Sequence, residues 1–275
     1  MARLTKAVVA ITITLTCAQA QWLDYRDPKT PRTEDGRPNL SAPAPRMNGK
    51  PDLSGVWQAE RTPTSEFTRV LGEGAPKLQV DLNEVTKHTI NVFWDVKPGE
   101  EPMRPEAAAI LEQRMKSGED FHTAYCLPDS LPAGLTTNFF KMLQTPGEIV
   151  TLFENISPGR QIYTDGRPLP EDPVPSWMGY SVGKWQGDTL VVETVGITDR
   201  AWLDGFGHPR SDAMRITERY TRRDFGHMDL EITFDDPTYY TRPFGFQTTL
   251  HLVPDSDILE YVCAENNRDV AHLPQ

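Results

Sequence analysis

The chain has 275 residues, 38% hydrophobic and 24% charged, with a formal charge of −11 at neutral pH. Such acidity argues against binding a nucleic-acid backbone, which needs lysine and arginine to neutralise phosphates, and against adhesion to anionic lipid. Past the first twenty residues no segment approaches the roughly 20 consecutive apolar residues that a membrane span requires, so membrane insertion is not expected.

At the start, Arg3 and Lys6 precede an uncharged stretch, Ala7 to Thr16, and then Ala18-Gln19-Ala20. A positive start, an apolar middle and an A-x-A end form the layout of a secretory signal. The layout predicts a signal peptide over 1–20, cleavage after Ala20, and export to a periplasm or the cell exterior; a buried N-terminal strand or helix is the alternative. Cys17 is a poor lipidation site, lacking a leucine three residues upstream and a small residue just before it. Losing Arg3 and Lys6 would take the formal charge from −11 to −13 and leave two cysteines, Cys126 and Cys263. An oxidising compartment permits one disulfide between them. Closing so long a loop would stabilise the fold by about 4–5 kcal/mol on the chain-entropy account. Two free buried thiols are the alternative.

Residues 21–52 are rich in proline, charge and small polar groups, which bury too little apolar surface to offset the entropy of ordering. They read as an extended arm, with Trp22 and Tyr25 as anchors. The remainder, 53–275, suits a single domain. Pro105 to Lys116 predicts a helix, with proline at its first position, Glu106 at its positive end, Arg114 and Lys116 at its negative end, and Gly118 beyond. Ala107, Ile110, Leu111 and Met115 form its apolar stripe. Leu82 to Trp94 suits a helix or a strand. From Glu148 the pattern changes to period two: EIVTLFE, RQIYTDG, MGYSVGKW, TLVVETVG, MRITERYTR, DLEITFDD, FQTTLHLV and ILEYVC each predict a strand. Gln186-Gly187 and Asp224-Phe225-Gly226 suit tight joins between them. The expectation is a mainly β fold, an antiparallel meander of about eight strands closing into a barrel, with a helical segment at 105–117 before it. Such a barrel holds packed side chains or one small ligand.

Leu53-Ser54-Gly55-Val56-Trp57 carries the G-x-W that opens lipocalin-type barrels. The C-terminal half carries more: RQIYTDGRPLP, WMGYSVGKWQGDTLVVETVGI, WLDGFGHPRSD, ITERYTRRD, FDDP and EYVCAENN. Together these resemble a large, mostly uncharacterised family of exported bacterial proteins with a lipocalin- or calycin-like β-barrel. The resemblance runs from about Pro51 to Leu273. Near Cys126 that family reads C-x-P-x-G-x-P, where this chain has CLPDSLP, with Ser130 in place of glycine. The resemblance implies fold and export and carries no activity.

No catalytic motif, phosphate-binding loop or paired cysteine motif is present, and no cofactor is implied. His208, His227, His251 and Asp204 lack a spacing diagnostic of zinc. The informative residues are polar groups on core-like strands. Glu218 shares a face with Met214, Ile216 and Tyr220, opposite Arg215 and Arg219. Glu193, Glu260 and His251 alternate with apolar neighbours in the same way. An inward carboxylate needs a partner, and Arg160, Arg215 or Arg219 can supply one. A glutamate in a dry pocket becomes a usable acid or base; a structural ion pair is the plainer fate. His208 lies in the loop WLDGFGHP, where barrel mouths carry binding residues. Trp177 and Tyr180 line a ligand site or fill the core.

Three functions follow. One is an extracytoplasmic barrel binding a small apolar or aromatic molecule, with Arg160, Glu193, Arg215, Arg219, His251, Glu260, Trp177 and Tyr180 as candidate contacts. The other is a barrel enzyme (lyase, isomerase or hydrolase) moving protons through His208 and Glu218, which requires both to converge on one pocket. A third is an interaction module that docks a partner through the arm. The sequence is silent on oligomeric state.

Overall fold

The computed structural model describes residues 26–71, 86–117 and 122–263. The expected signal, Trp22, Tyr25, Gly118 and residues 82–85 lie outside them. In chain order the elements are β1 (Arg46–Met47), β2 (Lys50–Pro51), β3 (Gly55–Ala59), α1 (Thr64–Leu71), α2 (Lys87–Ile90), α3 (Pro105–Ser117), a 3-10 turn (His122–Tyr125), α4 (Ala133–Thr136), β4 (Phe139–Thr145), β5 (Glu148–Phe153), β6 (Arg160–Tyr163), β7 (Tyr180–Gln186), β8 (Thr189–Val195), β9 (Arg215–Arg222), β10 (His227–Asp235) and β11 (Phe244–Leu252).

Strands β3 to β11 close a barrel in which each strand lies beside its successor and β11 pairs back onto β3. The fold is therefore mainly β and closed, with nine strands rather than about eight. Seven of the eight expected strands form. Gly55–Ala59 and Phe139–Thr145 supply the other two, and ILEYVC forms none. The reason is closure: once β11 meets β3 there is no open edge for a further strand to join. The chain after β11 instead lies as coil, tethered by Lys141 Nζ to both Asp257 carboxylate oxygens (2.8 Å each) and by the Leu259 N–H to Glu154 Oε2 (2.9 Å). The expected Cys126–Cys263 disulfide is present and anchors its end.

The meander is not wholly antiparallel. β6 and β7 run parallel, with only Ile162↔Ser181 and Tyr163↔Val182 in register. The sixteen-residue crossover between them, 164–179, contains Pro168, Pro170, Pro173 and Pro175. Prolines cannot donate to a ladder, so this stretch returns the chain to its starting end without becoming a hairpin strand. Gly179 (φ +64°) makes the entry into β7, where a Cβ would lie 2.7 Å from the Val195 carbonyl oxygen.

The tube is filled. Trp57, Phe140, Met142, Ile162, Leu190, Val192, Ile232 and Leu250 are wholly inaccessible or nearly so. Their burial is the main apolar driving force for closure. At one end Trp57 donates its indole N–H to the Leu53 carbonyl (3.0 Å), and the Arg222 guanidinium lies 4.8 Å above its ring. The arm crosses this end: Leu40 and Ala42 carbonyls accept from Gly226 and Phe225 N–H, and Arg32 pairs with Asp255 at 2.6 Å. The opposite end is closed by a buried aromatic cluster. Phe93 packs within 6 Å of Tyr240, Phe244 and the His208 imidazole, and His88 stacks on Phe246 at 4.1 Å. Of the described part of the 82–94 segment, 86–94, only Lys87–Ile90 is helical, capped by Thr86. Helix α3 forms as expected, but it packs mainly through Ala107, and Met115 is 70% exposed. Among the described residues no helix is long and apolar enough to cross a membrane.

Gly245 faces Thr233 across the β10–β11 ladder, and a Cβ there would lie 1.9 Å from the Ile232 carbonyl oxygen. Gly245→Ala is expected to lose about 1–3 kcal/mol or more of unfolding free energy through overpacking, measured by urea denaturation. A neutral substitution would contradict this register.

Candidate functional site

Period two sends Arg160 of β6, Ser181 of β7, Thr194 of β8 and Glu218 of β9 inward, one residue from each of four adjacent strands, and all four are buried. Arg160 Nε donates to Ser181 Oγ (3.1 Å), Nη1 to Glu218 Oε1 (2.9 Å), and Nη2 to Thr194 Oγ1 (2.8 Å) and to Glu218 Oε2. Tyr220 donates its hydroxyl to Glu218 Oε1 at 2.6 Å, and the Ser181 and Thr194 hydroxyls lie 2.9 Å apart. Burial works against the Arg160 charge, but the Glu218 carboxylate more than offsets it and holds the guanidinium above its ordinary range. Burial and the same carboxylate push the Tyr220 phenol well up, so it stays a protonated donor.

This network lies under the parallel step. Where β6 and β7 diverge ahead of their two register pairs, a cleft of about 270 Å³ opens, lined by Arg160, Ser181, Ser176, Trp177, Met178 and Tyr180 among others. Its aromatic wall is held from behind. Ser130 donates its hydroxyl to the Trp177 carbonyl, and Arg210 Nη1 donates to the Leu131 carbonyl at 2.9 Å. Arg200 lies 5.1 Å over the Trp177 ring. On the other wall Tyr163 and Tyr180 pack at 5.2 Å, with the Arg167 guanidinium 3.8 Å over Tyr163.

The structure brings Arg160, Glu218, Trp177 and Tyr180 into one region and puts the other candidates elsewhere. Glu193 and Arg215 are exposed on the outer face of the barrel. Arg219 is also outside, 3.8 Å from Glu231. Glu260 is exposed in the coil after β11. His251 stands on the outer face across from His227, and burial together with the His227 charge holds its pKa below the ordinary histidine value. His208 is buried, with Nδ1 2.6 Å from Asp204 Oδ2. Asp204 also accepts the backbone N–H groups of Val92, Phe206, Gly207 and His208. This pair locks a loop; it shares no partner with Glu218. Tyr220 shares the face of Glu218 as the sequence pattern has it; Ser181 and Thr194 are additions from the structure, although the parity of Thr194 with Leu190 and Val192 points the same way. Among the described residues no group of three or more histidine, cysteine, aspartate or glutamate side chains is placed to hold a metal ion.

Compared with known proteins, the chain matches no family model, no curated protein and no solved structure.

Removing one member of a buried ion pair leaves the other charged and unpaired, at a cost of roughly 3–5 kcal/mol, whereas replacing both with apolar groups is often neutral. Arg160→Met and Glu218→Leu are each expected to lose about that much stability, and the double variant to lose less than either alone. Additive losses in urea denaturation would show that the two side chains do not act as a pair.

Proposed function

We propose that the protein binds a small apolar or aromatic molecule in the cleft at the parallel β6–β7 step, outside the cytoplasm. The observation that carries this reading is the cleft itself, the place where an aromatic wall, Trp177 and Tyr180, meets the buried Arg160 network. Its volume of about 270 Å³ suits a molecule of about one ring and falls just below the usual range for ligand sites, which begins at about 300 Å³. The filled interior moves the ligand from the barrel axis to its flank. Trp177 supplies a stacking face, and Ser176 supplies a hydroxyl that fixes orientation. Export is supported by the layout of residues 1–20 and by the Cys126–Cys263 disulfide, which is consistent with an oxidising compartment.

Binding is favoured over acid–base catalysis because the two candidate proton carriers belong to separate networks. Both Glu218 carboxylate oxygens are engaged by Arg160 and Tyr220, and His208 is held by Asp204.

Native mass spectrometry of untagged protein from its own host is expected to find a co-purified single-ring molecule, and titration with toluene, phenol and benzoate to find saturable binding by at least one. Trp177→Ala is expected to weaken that binding at least about ten-fold, or ~1.4 kcal/mol, with the circular dichroism spectrum unchanged. No binding by the wild type, or full binding by a folded Trp177→Ala variant, would remove the cleft as the site.

A further inference from the structure

On the outer face of the barrel, β10 and β11 set His227 directly opposite His251. Facing residues in an antiparallel pair send their side chains to the same side, with Cβ atoms about 4.5–5.5 Å apart. The two imidazole centroids lie 5.3 Å apart. A metal ion bound at about 2.0–2.1 Å by one nitrogen of each ring, at a tetrahedral angle, would put the ring centres roughly 5 Å apart. The spacing is close to that of two ligands of one ion, with the ring planes at 83°.

The surroundings match. His227 Nδ1 is 2.7 Å from Asp224 Oδ1, and that oxygen also accepts the backbone N–H groups of Gly226 (3.0 Å) and His227 (2.8 Å). A fixed carboxylate on one ring nitrogen orients the other outward, as ligating histidines require. His251 makes no side-chain hydrogen bond to any described residue and is half-buried, so its ring is available. Beyond the pair, the same face continues through Asp229 opposite Thr249 and Glu231 opposite Gln247. These line a groove of about 370 Å³ together with Glu60. Arg219 lines the groove as well, 3.8 Å from Glu231. Arg223 pairs with Asp229 at 3.2 Å, so two of these three carboxylates each face an arginine.

We infer that His227 and His251 form a binding site for a divalent transition-metal ion, with Asp224 as the residue that orients His227 and water completing the coordination shell. Imidazole pairs favour copper(II), nickel(II) and zinc(II) over magnesium and calcium, which prefer oxygen ligands. The site is independent of the β6–β7 cleft.

Isothermal titration of untagged protein with zinc(II) and copper(II) salts tests it. The expected result is one ion per chain, copper(II) bound more tightly than zinc(II), and no response to magnesium or calcium. His227→Asn and His251→Asn should each weaken binding at least about ten-fold, and Asp224→Asn by about 10–100-fold. In case a variant misfolds, the ring-proton resonances of wild-type His227 and His251 should shift together on adding zinc(II). Absence of binding at millimolar zinc(II), undiminished binding by a folded double variant, or shifts confined to other histidines would overturn the inference.

Discussion

A bidentate contact between Arg160 and Glu218 crosses the interior of the barrel, and the thinnest part of the wall depends on it. Elsewhere neighbouring strands are joined by ladders such as the eight register pairs of β10 with β11. Between β6 and β7 there are two. Here side chains do what the backbone does elsewhere: Arg160 reaches from β6 to Ser181 on β7, Thr194 on β8 and Glu218 on β9. In a low-dielectric interior these charge-assisted bonds are strong when complete and costly when broken. Each polar group in the seam has a partner, so the parallel step is tolerated within a closed barrel.

The same step explains why a ligand site lies on the flank. The barrel axis is occupied by large apolar side chains, and both ends are closed: one by Trp57 with Arg222 stacked on it, the other by the aromatic cluster around Phe93. A parallel connection must cross from one end of the barrel to the other, and its divergence from β6 leaves a gap that hairpins do not leave. The gap is bounded by Trp177, held from behind through Ser130.

Much of the wall was legible in the sequence because period two is a direct consequence of strand geometry. Seven strands from Glu148 onward follow it. The strand at Phe139–Thr145 was not singled out, and Gly55–Ala59 was noticed for its tryptophan rather than for pairing. ILEYVC shows the limit of the pattern: alternation makes a segment suitable for a sheet, but only an available edge makes it a strand. Period two also contained the choice of partner for Glu218. Arg215 and Arg219 are odd distances from Glu218 on one strand, so they face outward whenever it faces inward, leaving Arg160. What no local pattern holds is the direction of β7, fixed by a crossover whose return path depends on the whole barrel. The pairing of His208 with Asp204 was legible as proximity, but its loop-locking role depends on Val92, more than a hundred residues away in sequence.

The central claim is that the Arg160 guanidinium is sealed against Glu218 in the barrel interior. Nuclear magnetic resonance of the arginine side-chain N–H groups, followed by hydrogen exchange at neutral pH, reads this directly. The Arg160 Nε–H signal is expected to persist long after the signal of Arg37, whose side chain is 84% exposed, has exchanged. Exchange of Arg160 as fast as that of Arg37 would mean that water reaches the network, and would contradict that claim.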